Sequence, residues 1–247
     1  MAKLLIGTSG WSHIHWQGVF YPEGLKQGEW LEYYTRYFKT VEVNVTFYRL
    51  PFEGMISGWD KRTSEDFKFV IKGSRRITHF HKLANVEVQL KFMIDRLLPL
   101  KHKIYCFLWQ LPPFLSADLI LLKDFLQTLP ETFSHAIEFR HPSWINDSTF
   151  SLLKEYRIAH CTVSAPELPF NTTTTADFAY VRLHGISEWY DYEYSDKDLL
   201  RLQEEIIKIG KEVETVLIYF NNDTKGFAIK NAIRLKELLE MSGNSPA

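Results

Sequence analysis

Eight short runs rich in β-branched and aromatic residues recur along the chain, and segments of helical period separate most of them. This alternation constrains the fold more than any other feature. The runs are KLLIGTS (3–9), TVEVNVTF (40–47), FKFVIKG (67–73), IYCFLWQL (104–111), HAIEFR (135–140), IAHCTVSA (158–165), FAYVRLHG (178–185) and TVLIYFNN (215–222). Each has the length and composition of a strand. Helices are expected over 29–38, 84–100, 116–129, 149–156, 195–209 and 226–239, with Ser116, Asp147 and Ser195 as N-caps. Leu90, Met93, Ile94 and Leu97 share one helix face, as do Leu199, Leu202, Ile206 and Ile209. The crossover PELPFNTTTTAD (166–177) carries little helical pattern.

Strands alternating with helices imply parallel β-α-β units. Eight such units in 247 residues fit the α/β class and a (β/α)8 TIM barrel, one domain over 1–240, with 241–247 a disordered tail. An open doubly wound sheet is the alternative, but GTSGW after the first run is not the G-x-G-x-x-G of a dinucleotide turn.

Composition narrows the partners. A formal net charge of −1 provides no global field for nucleic acid or membrane. Cys106 and Cys161 stand far apart inside apolar runs and read as reduced, buried thiols. No segment approaches about 18 uninterrupted apolar residues, and the first apolar run is too short for a signal peptide, so a cytoplasmic protein with no membrane association is expected.

Strand parity locates a candidate site. In a barrel one strand face meets the helices and the other the enclosed interior. With Val41, Val43 and Val45 outward, Glu42, Asn44 and Thr46 point inward. The same rule turns Lys72, Gln110, Glu138, Arg140, Arg182, His184, Tyr219 and Asn221 inward, opposite Ile71, Trp109, Ile137, Phe139, Val181, Leu183, Ile218 and Phe220. A purely structural interior would be aliphatic, because buried charges need partners and even paired ones often add no net stability. The mouth at the C-terminal ends of the strands, where barrel enzymes keep their chemistry, is therefore the candidate site. A structural Glu42–Arg182 ion pair is the competing reading.

The loops after the strands extend the pattern. KGSRRITHFHKL (72–83) places Arg75, Arg76, His79, His81 and Lys82 on one lip, either a solvated basic loop or an anion-binding edge. NNDTKGFA sets Asn221 and Asn222 before a helix N-terminus, a place that favours anions. Trp11, Trp16, Phe20, Tyr21, Tyr48, Trp144, Trp189, Tyr190 and Tyr192 all follow strands; beside Arg and His such rings can stack on a sugar or base, or pack beneath the loops.

Neither metal nor cofactor is expected. His13-x-His15 follows the first strand, as in some metal-dependent hydrolase barrels, but the remaining ligands do not complete the set: Lys72 occupies strand three, His141 follows strand five, Asp223 follows strand eight, and His160 lies near the far end of strand six. At a Glu42/Glu138/His184 site, Lys72 and two arginines would compete for the carboxylates.

GTSGW (7–11), W-x-G-x-F-Y-P (16–22), TVEVNVTFYRLP (40–51), FKFVIKGSRRITH (67–79), LWQLPP (108–113), EFRHPSW (138–144), VRLHG (181–185) and YFNND (219–223) resemble the YecE-like proteins, the domain-of-unknown-function 72 family, from near residue 6 to about residue 239. The resemblance implies a (β/α)8 barrel and a relation to sugar isomerases. It supplies no established reaction and no catalytic residues to carry over. His13 and His15 stand where relatives more often have Tyr and a polar or acidic residue, and Ser164 stands near a position often acidic in them.

Two functional expectations follow. The first is an enzyme acting on a small anionic polyol, a sugar phosphate or nucleotide-like molecule. Glu42, Lys72, Glu138 and His184 would perform acid/base chemistry. Asn44, Arg75, Arg76, Gln110, Arg140, Arg182, Asn221, Asn222, Trp11, Tyr48 and Trp144 would hold the substrate. These residues do not choose between isomerase, lyase and hydrolase. The second is a non-catalytic module binding nucleic acid or protein through the basic 72–82 loop.

Overall fold

All eight expected strands form and lie in one parallel sheet: β1 (Lys3–Thr8), β2 (Thr40–Val43), β3 (Lys68–Lys72), β4 (Ile104–Gln110), β5 (Ser134–Glu138), β6 (Ala159–Ser164), β7 (Phe178–Leu183) and β8 (Thr215–Phe220). The computed structural model of the chain describes residues 2–244 and 246. The strand order β1-β8-β7-β6-β5-β4-β3-β2 leaves β1 and β2 to meet and close a (β/α)8 TIM barrel. They do so through one parallel bridge, Ser9 to Glu42, not through a full ladder.

Side chains stitch the rest of that seam. The Tyr34 hydroxyl accepts from the Thr8 amide at 3.0 Å and donates to the Thr40 carbonyl at 3.2 Å, so it stands in for missing ladder bonds. Gly7 allows the close approach, since a Cβ there would lie 2.4 Å from the Thr40 oxygen.

β2 is shorter than its pattern of alternation. The chain turns at Asn44 into a helical turn, α2 (Val45–Tyr48), after α1 (Trp30–Tyr34) earlier in the chain. The Thr46 hydroxyl lies 2.9 Å from the Val43 carbonyl and 2.7 Å from that of Lys72, satisfying the strand ends and bending the chain. Thr46 is therefore spent on backbone at the barrel rim.

Helix α3 (Glu53–Lys61) has no clear signal in the sequence, because EGMISGWDK contains two glycines of poor helix propensity. Burial of Ile56 and Trp59 supports it. So does Lys103, only 1% exposed, whose ammonium reaches the carbonyls of Asp60 at 2.8 Å and Thr63 at 3.0 Å near its C-terminus. The remaining helices are α4 (Glu87–Leu97), α5 (Leu119–Thr128), α6 (Asp147–Glu155), α7 (Asp196–Ile209) and α8 (Phe227–Met241).

Two caps differ from expectation. Asp118, not Ser116, caps α5 by accepting the amides of Ile120 and Leu121 at 3.0 Å, and Asn146, not Asp147, caps α6. Ser195 caps α7 as expected, in a box reciprocated by Asp198. No helix joins β6 to β7. Thr175 from that loop accepts the His160 amide at 2.7 Å and donates to the Ile158 carbonyl at 2.6 Å, covering exposed backbone of β6. Within the expected tail, Met241 still belongs to α8 and the Asn244 amide donates to the Leu239 carbonyl at 2.9 Å; residues 245 and 247 lie outside the described residues.

Two apolar layers hold the barrel. The outer one sets Val41, Phe69, Ile71, Trp109, Ile137, Val181 and Ile218 against the helices. The inner one is built from Leu5, Val70, Cys106, Leu108, Ala136, Cys161, Tyr180, Leu217 and Tyr219. Small Ala and Cys side chains make room for the two tyrosines, and the Tyr219 hydroxyl lies 2.5 Å from that of Thr40 across the interior. Both cysteines are free and buried. Among the described residues no helix is long and apolar enough to cross a membrane.

Candidate functional site

Parity delivers the polar residues to the barrel interior as its rule requires. Glu42 (β2), Lys72 (β3), Gln110 (β4), Glu138 (β5) and Arg182 (β7) sit on the inward register near the C-terminal strand ends, with Arg140, His184 and Asn221 just beyond. Register aligns two pairs directly: Gln110 with Glu138, and Arg182 with Tyr219.

Arg182 is the hub. Its side chain and those of Glu42 and Glu138 are 0% exposed. Nη2 donates to Glu42 Oε1 at 2.7 Å, and Nη1 donates to Glu138 Oε2. Glu42 also accepts from Ser9 Oγ at 2.8 Å and from the Tyr180 hydroxyl at 2.6 Å. Glu138 accepts a second charged donor, Arg140 Nε. Burial alone would push the Glu138 carboxyl up, but Arg140 and Arg182 outweigh it and hold the group well below the usual carboxylate range. Burial likewise opposes the charge on Arg182, and Glu138 and Glu42 more than restore it. An arginine shared by two carboxylates, each with further donors, meets most of the demands of a buried ionic cluster.

This arrangement changes the roles expected of these residues. Glu138 remains ionised near neutrality and has no proton to give. Arg182 spends both terminal nitrogens on the carboxylates and is 0% exposed, so it positions them, while its Nε is left without a partner among the described residues. Glu42 is fully engaged by Ser9, Tyr180 and Arg182.

Above this cluster lies a layer with free capacity. The guanidinium of Arg140 stands over the Trp189 ring at 4.4 Å, and its Nη2 lies 3.1 Å from His184 Nε2. Arginine can only donate, so Nε2 carries the lone pair and Nδ1 the proton; Nδ1 lies 3.1 Å from the Asn221 side-chain amide, which pairs with it when turned so that its oxygen accepts. Burial, with a contribution from Arg182, lowers the His184 pKa to about 3 against the pull of Glu138, so its imidazole is neutral. Lys72 Nζ lies 4.3 Å from the centre of the Phe47 ring. Burial first, then Arg182, lowers the Lys72 pKa to about 7 despite Glu42 and Glu138. An amine in that range gives or takes a proton at physiological pH.

A cavity of about 590 Å³ opens beside this layer, with Trp11, His13, Asn44, Arg49, Trp59 and Asn221 in its wall. Trp11 packs edge-on to Trp59 at 5.7 Å. Asn44 Oδ1 is buried without a hydrogen-bond partner among the described residues, an acceptor left for a ligand or water. A larger hollow of about 810 Å³, near Ala2, Ile206 and Lys211, lies at the opposite end of the barrel and holds none of these groups.

The rim is aromatic and cationic. Arg75 lies 5.4 Å from the Tyr48 ring and 5.5 Å from that of Phe80, and Lys82 lies 5.5 Å from Phe114. Arg76 begins a π-helical turn, Arg76–Phe80, and is exposed. Gln110 is half-buried at the end of β4.

Two expected binding residues fall elsewhere. Trp144 is fully buried, stacks on the outward-facing Phe139 at 4.9 Å, and gives its N–H to the Leu115 carbonyl at 2.7 Å. Asn222 has the opposite parity to Asn221 and donates to the Tyr192 carbonyl and to Asn231 Oδ1 at 2.7 and 2.8 Å. Both hold loops against helices. Conversely, Ser9 and Tyr180 complete the cluster around Glu42 without being among the residues assigned to the site from parity and loop position. Tyr180 shares the parity of Arg182 and His184, so the alternation rule could have found it. Phe47 depends on the helical turn after Val43, for which the sequence has no evident signal.

The protein belongs to the family described as "Protein of unknown function DUF72", whose model matches residues 5–247. It is 33% identical over 142 residues to the UPF0759 protein YecE of Escherichia coli K12; this covers 57% of the chain and spans about half (50%) of that relative. Identity to the UPF0759 protein YunF of Bacillus subtilis is 25%, over 98% of each protein. A crystal structure of a DUF72 family protein from Thermotoga maritima superposes with a TM-score of 0.87 at 31% identity, covering 96% of this chain and 99% of that one. One from Enterococcus faecalis gives 0.83 at 22% identity, covering 97% and 96%, a likeness of fold.

Proposed function

We propose that this protein is an enzyme acting on a small anionic polyol, of the sugar phosphate or nucleotide-like kind, at the C-terminal mouth of its barrel. The observation that carries the reading is Lys72, a half-buried amine with its pKa lowered to about 7 beside the cavity-bearing mouth. Such a group suits proton transfer at a substrate carbon or oxygen. Arg140, fixed by Glu138 and stacked on Trp189, offers a positioned cation for the substrate's charge, and Arg75 and Arg76 extend that charge outward. Asn44 and Asn221 supply hydroxyl-binding amides in the cavity wall. Neutral His184 polarises rather than donates a full charge, and the Glu42–Arg182–Glu138 cluster keeps the layer above it in register.

The test is a mass-spectrometric turnover screen over sugar phosphates and nucleotides with the wild type and Lys72→Met. The reading expects one class to be converted, and the rate to fall about 10²- to 10⁴-fold in the variant. Conversion at an undiminished rate in Lys72→Met would remove Lys72 from the chemistry.

One observation favours a second reading, a module for nucleic acid or protein. Tyr48, Phe80 and Phe114 are 65%, 66% and 65% exposed beside Arg75 and Lys82. Aromatic faces with interleaved cations suit stacking on single-stranded bases, and such binding would weaken steeply with salt.

A further inference from the structure

Three side chains that the proposed chemistry does not use meet at the other side of the mouth. His13 and His15 come from the loop after β1, and Asp223 comes from the loop after β8. Their donor atoms all lie within 4.8 Å of one another. Asp223 Oδ2 is the common point, 3.3 Å from His13 Nδ1 and 3.0 Å from His15 Nε2.

The surroundings hold these groups in place. Trp16, fully buried, donates its Nε1–H to Asp223 Oδ1 at 2.9 Å and fixes the carboxylate. Gly10 admits the His13 ring: a Cβ there would lie 2.8 Å from Nε2, and the residue has φ +101°. His13 Nδ1 faces the Asp223 carboxylate at 3.3 Å, so the ring nitrogen and the carboxylate oxygen converge on one point. A ligand carboxylate held by an N–H donor, as Trp16 holds Asp223, is a common outer arrangement of metal-binding sites.

We propose that His13, His15 and Asp223 form a binding site for a divalent transition-metal ion of the zinc class. Donors at about 2.1 Å around a tetrahedral ion are about 3.4 Å apart, close to the two separations seen here. Two nitrogens and one carboxylate oxygen suit zinc or its neighbours better than magnesium or calcium. The side chains of His13 and His15 are 29% and 42% exposed, which leaves an approach from solvent. The nearest basic residue in sequence, Lys225, is directed to Asp191 at 3.3 Å. His13 also lines the mouth cavity, so the ion would stand at its wall. The inference is independent of the role given to Lys72.

The test uses the full chain stripped with EDTA and then titrated with Zn2+ by calorimetry, with Co2+ absorbance as a second readout. The expected result is one saturable site per chain, weakened at least about tenfold in His15→Ala and in Asp223→Asn. His102→Ala, which disturbs the exposed His102–Asp60 pair elsewhere, should leave it unchanged. His15 is exposed, so its variant tests ligation without disturbing the core. No saturable uptake in the wild type, or full-strength binding in both His15→Ala and Asp223→Asn, would overturn the proposal.

Discussion

Arg182 and Glu42 meet at 2.7 Å with both side chains at 0% exposure, across the interior of the barrel and beside the Ser9–Glu42 bridge that closes it. The same guanidinium holds Glu138. Truncating the shared cation leaves two buried carboxylates facing one another. Arg182→Met should therefore cost at least about 3–5 kcal/mol in urea unfolding, the usual result of breaking a buried pair. Adding Glu42→Gln and Glu138→Gln should recover much of that loss.

Tyr34 makes a second prediction about closure. Its hydroxyl bonds both the Thr8 amide and the Thr40 carbonyl across the seam. Tyr34→Phe should cost about 1–3 kcal/mol, the penalty for buried backbone groups left unpaired. Hydrogen exchange at the Thr8 amide should rise more than at the amides of β7, a strand laddered to both β6 and β8.

Acid should destabilise the protein early, and the sign follows from three buried histidines. Burial lowers His135 and His160 to about 4 and His184 to about 3, against 6.5 for the free side chain. As pH falls through 6.5 the unfolded chain takes up these protons and the folded chain does not, so stability drops. Three such groups give a slope approaching about 4 kcal/mol per pH unit once the unfolded histidines are charged. Glu138 acts in the same direction lower down: its folded pKa is depressed, so its stabilisation is present above the ordinary value of 4.5 and is lost as pH falls toward the folded one. Urea midpoints from pH 7 to pH 4 provide the check, and a flat profile would contradict the assignment of neutral buried imidazoles.

Lys72 should set the pH dependence of anion binding. With its pKa lowered to about 7, the amine is charged below that pH and neutral above it. Sulfate keeps a fixed charge, so its affinity at the mouth should fall as pH rises through about 7. In Lys72→Met, calorimetry should find weak binding with no inflection there.

Much of this site was legible because strand periodicity is simple. Alternation through β2, β3, β5 and β7 placed Glu42, Lys72, Glu138 and Arg182 on the inner face, and the structure keeps them there. The rule failed where the backbone left the strand. Asn222 follows Asn221 on the opposite face, and the helical turn at Val45–Tyr48 brings Phe47 to Lys72. Helix α3 was hidden because its support comes from Lys103, more than forty residues away in sequence. The sequence offers His13, His15 and Asp223 only as members of an incomplete ligand set; the β1–β8 ladder, which brings the loops after those two strands together, is what joins them.

The most direct test of the account is a thermal-shift panel of sugar phosphates, nucleotides and neutral sugars, run on the wild type and on Lys72→Met and Arg140→Met. A ligand at 100 times its dissociation constant adds about 2.7 kcal/mol, a shift of roughly 5–10 °C for a domain of this size. The account predicts a shift with one anionic class, none with its neutral counterpart, and loss of the shift in both variants. Silence across the panel, or an equal shift in the variants, would contradict a small-anion site at this mouth.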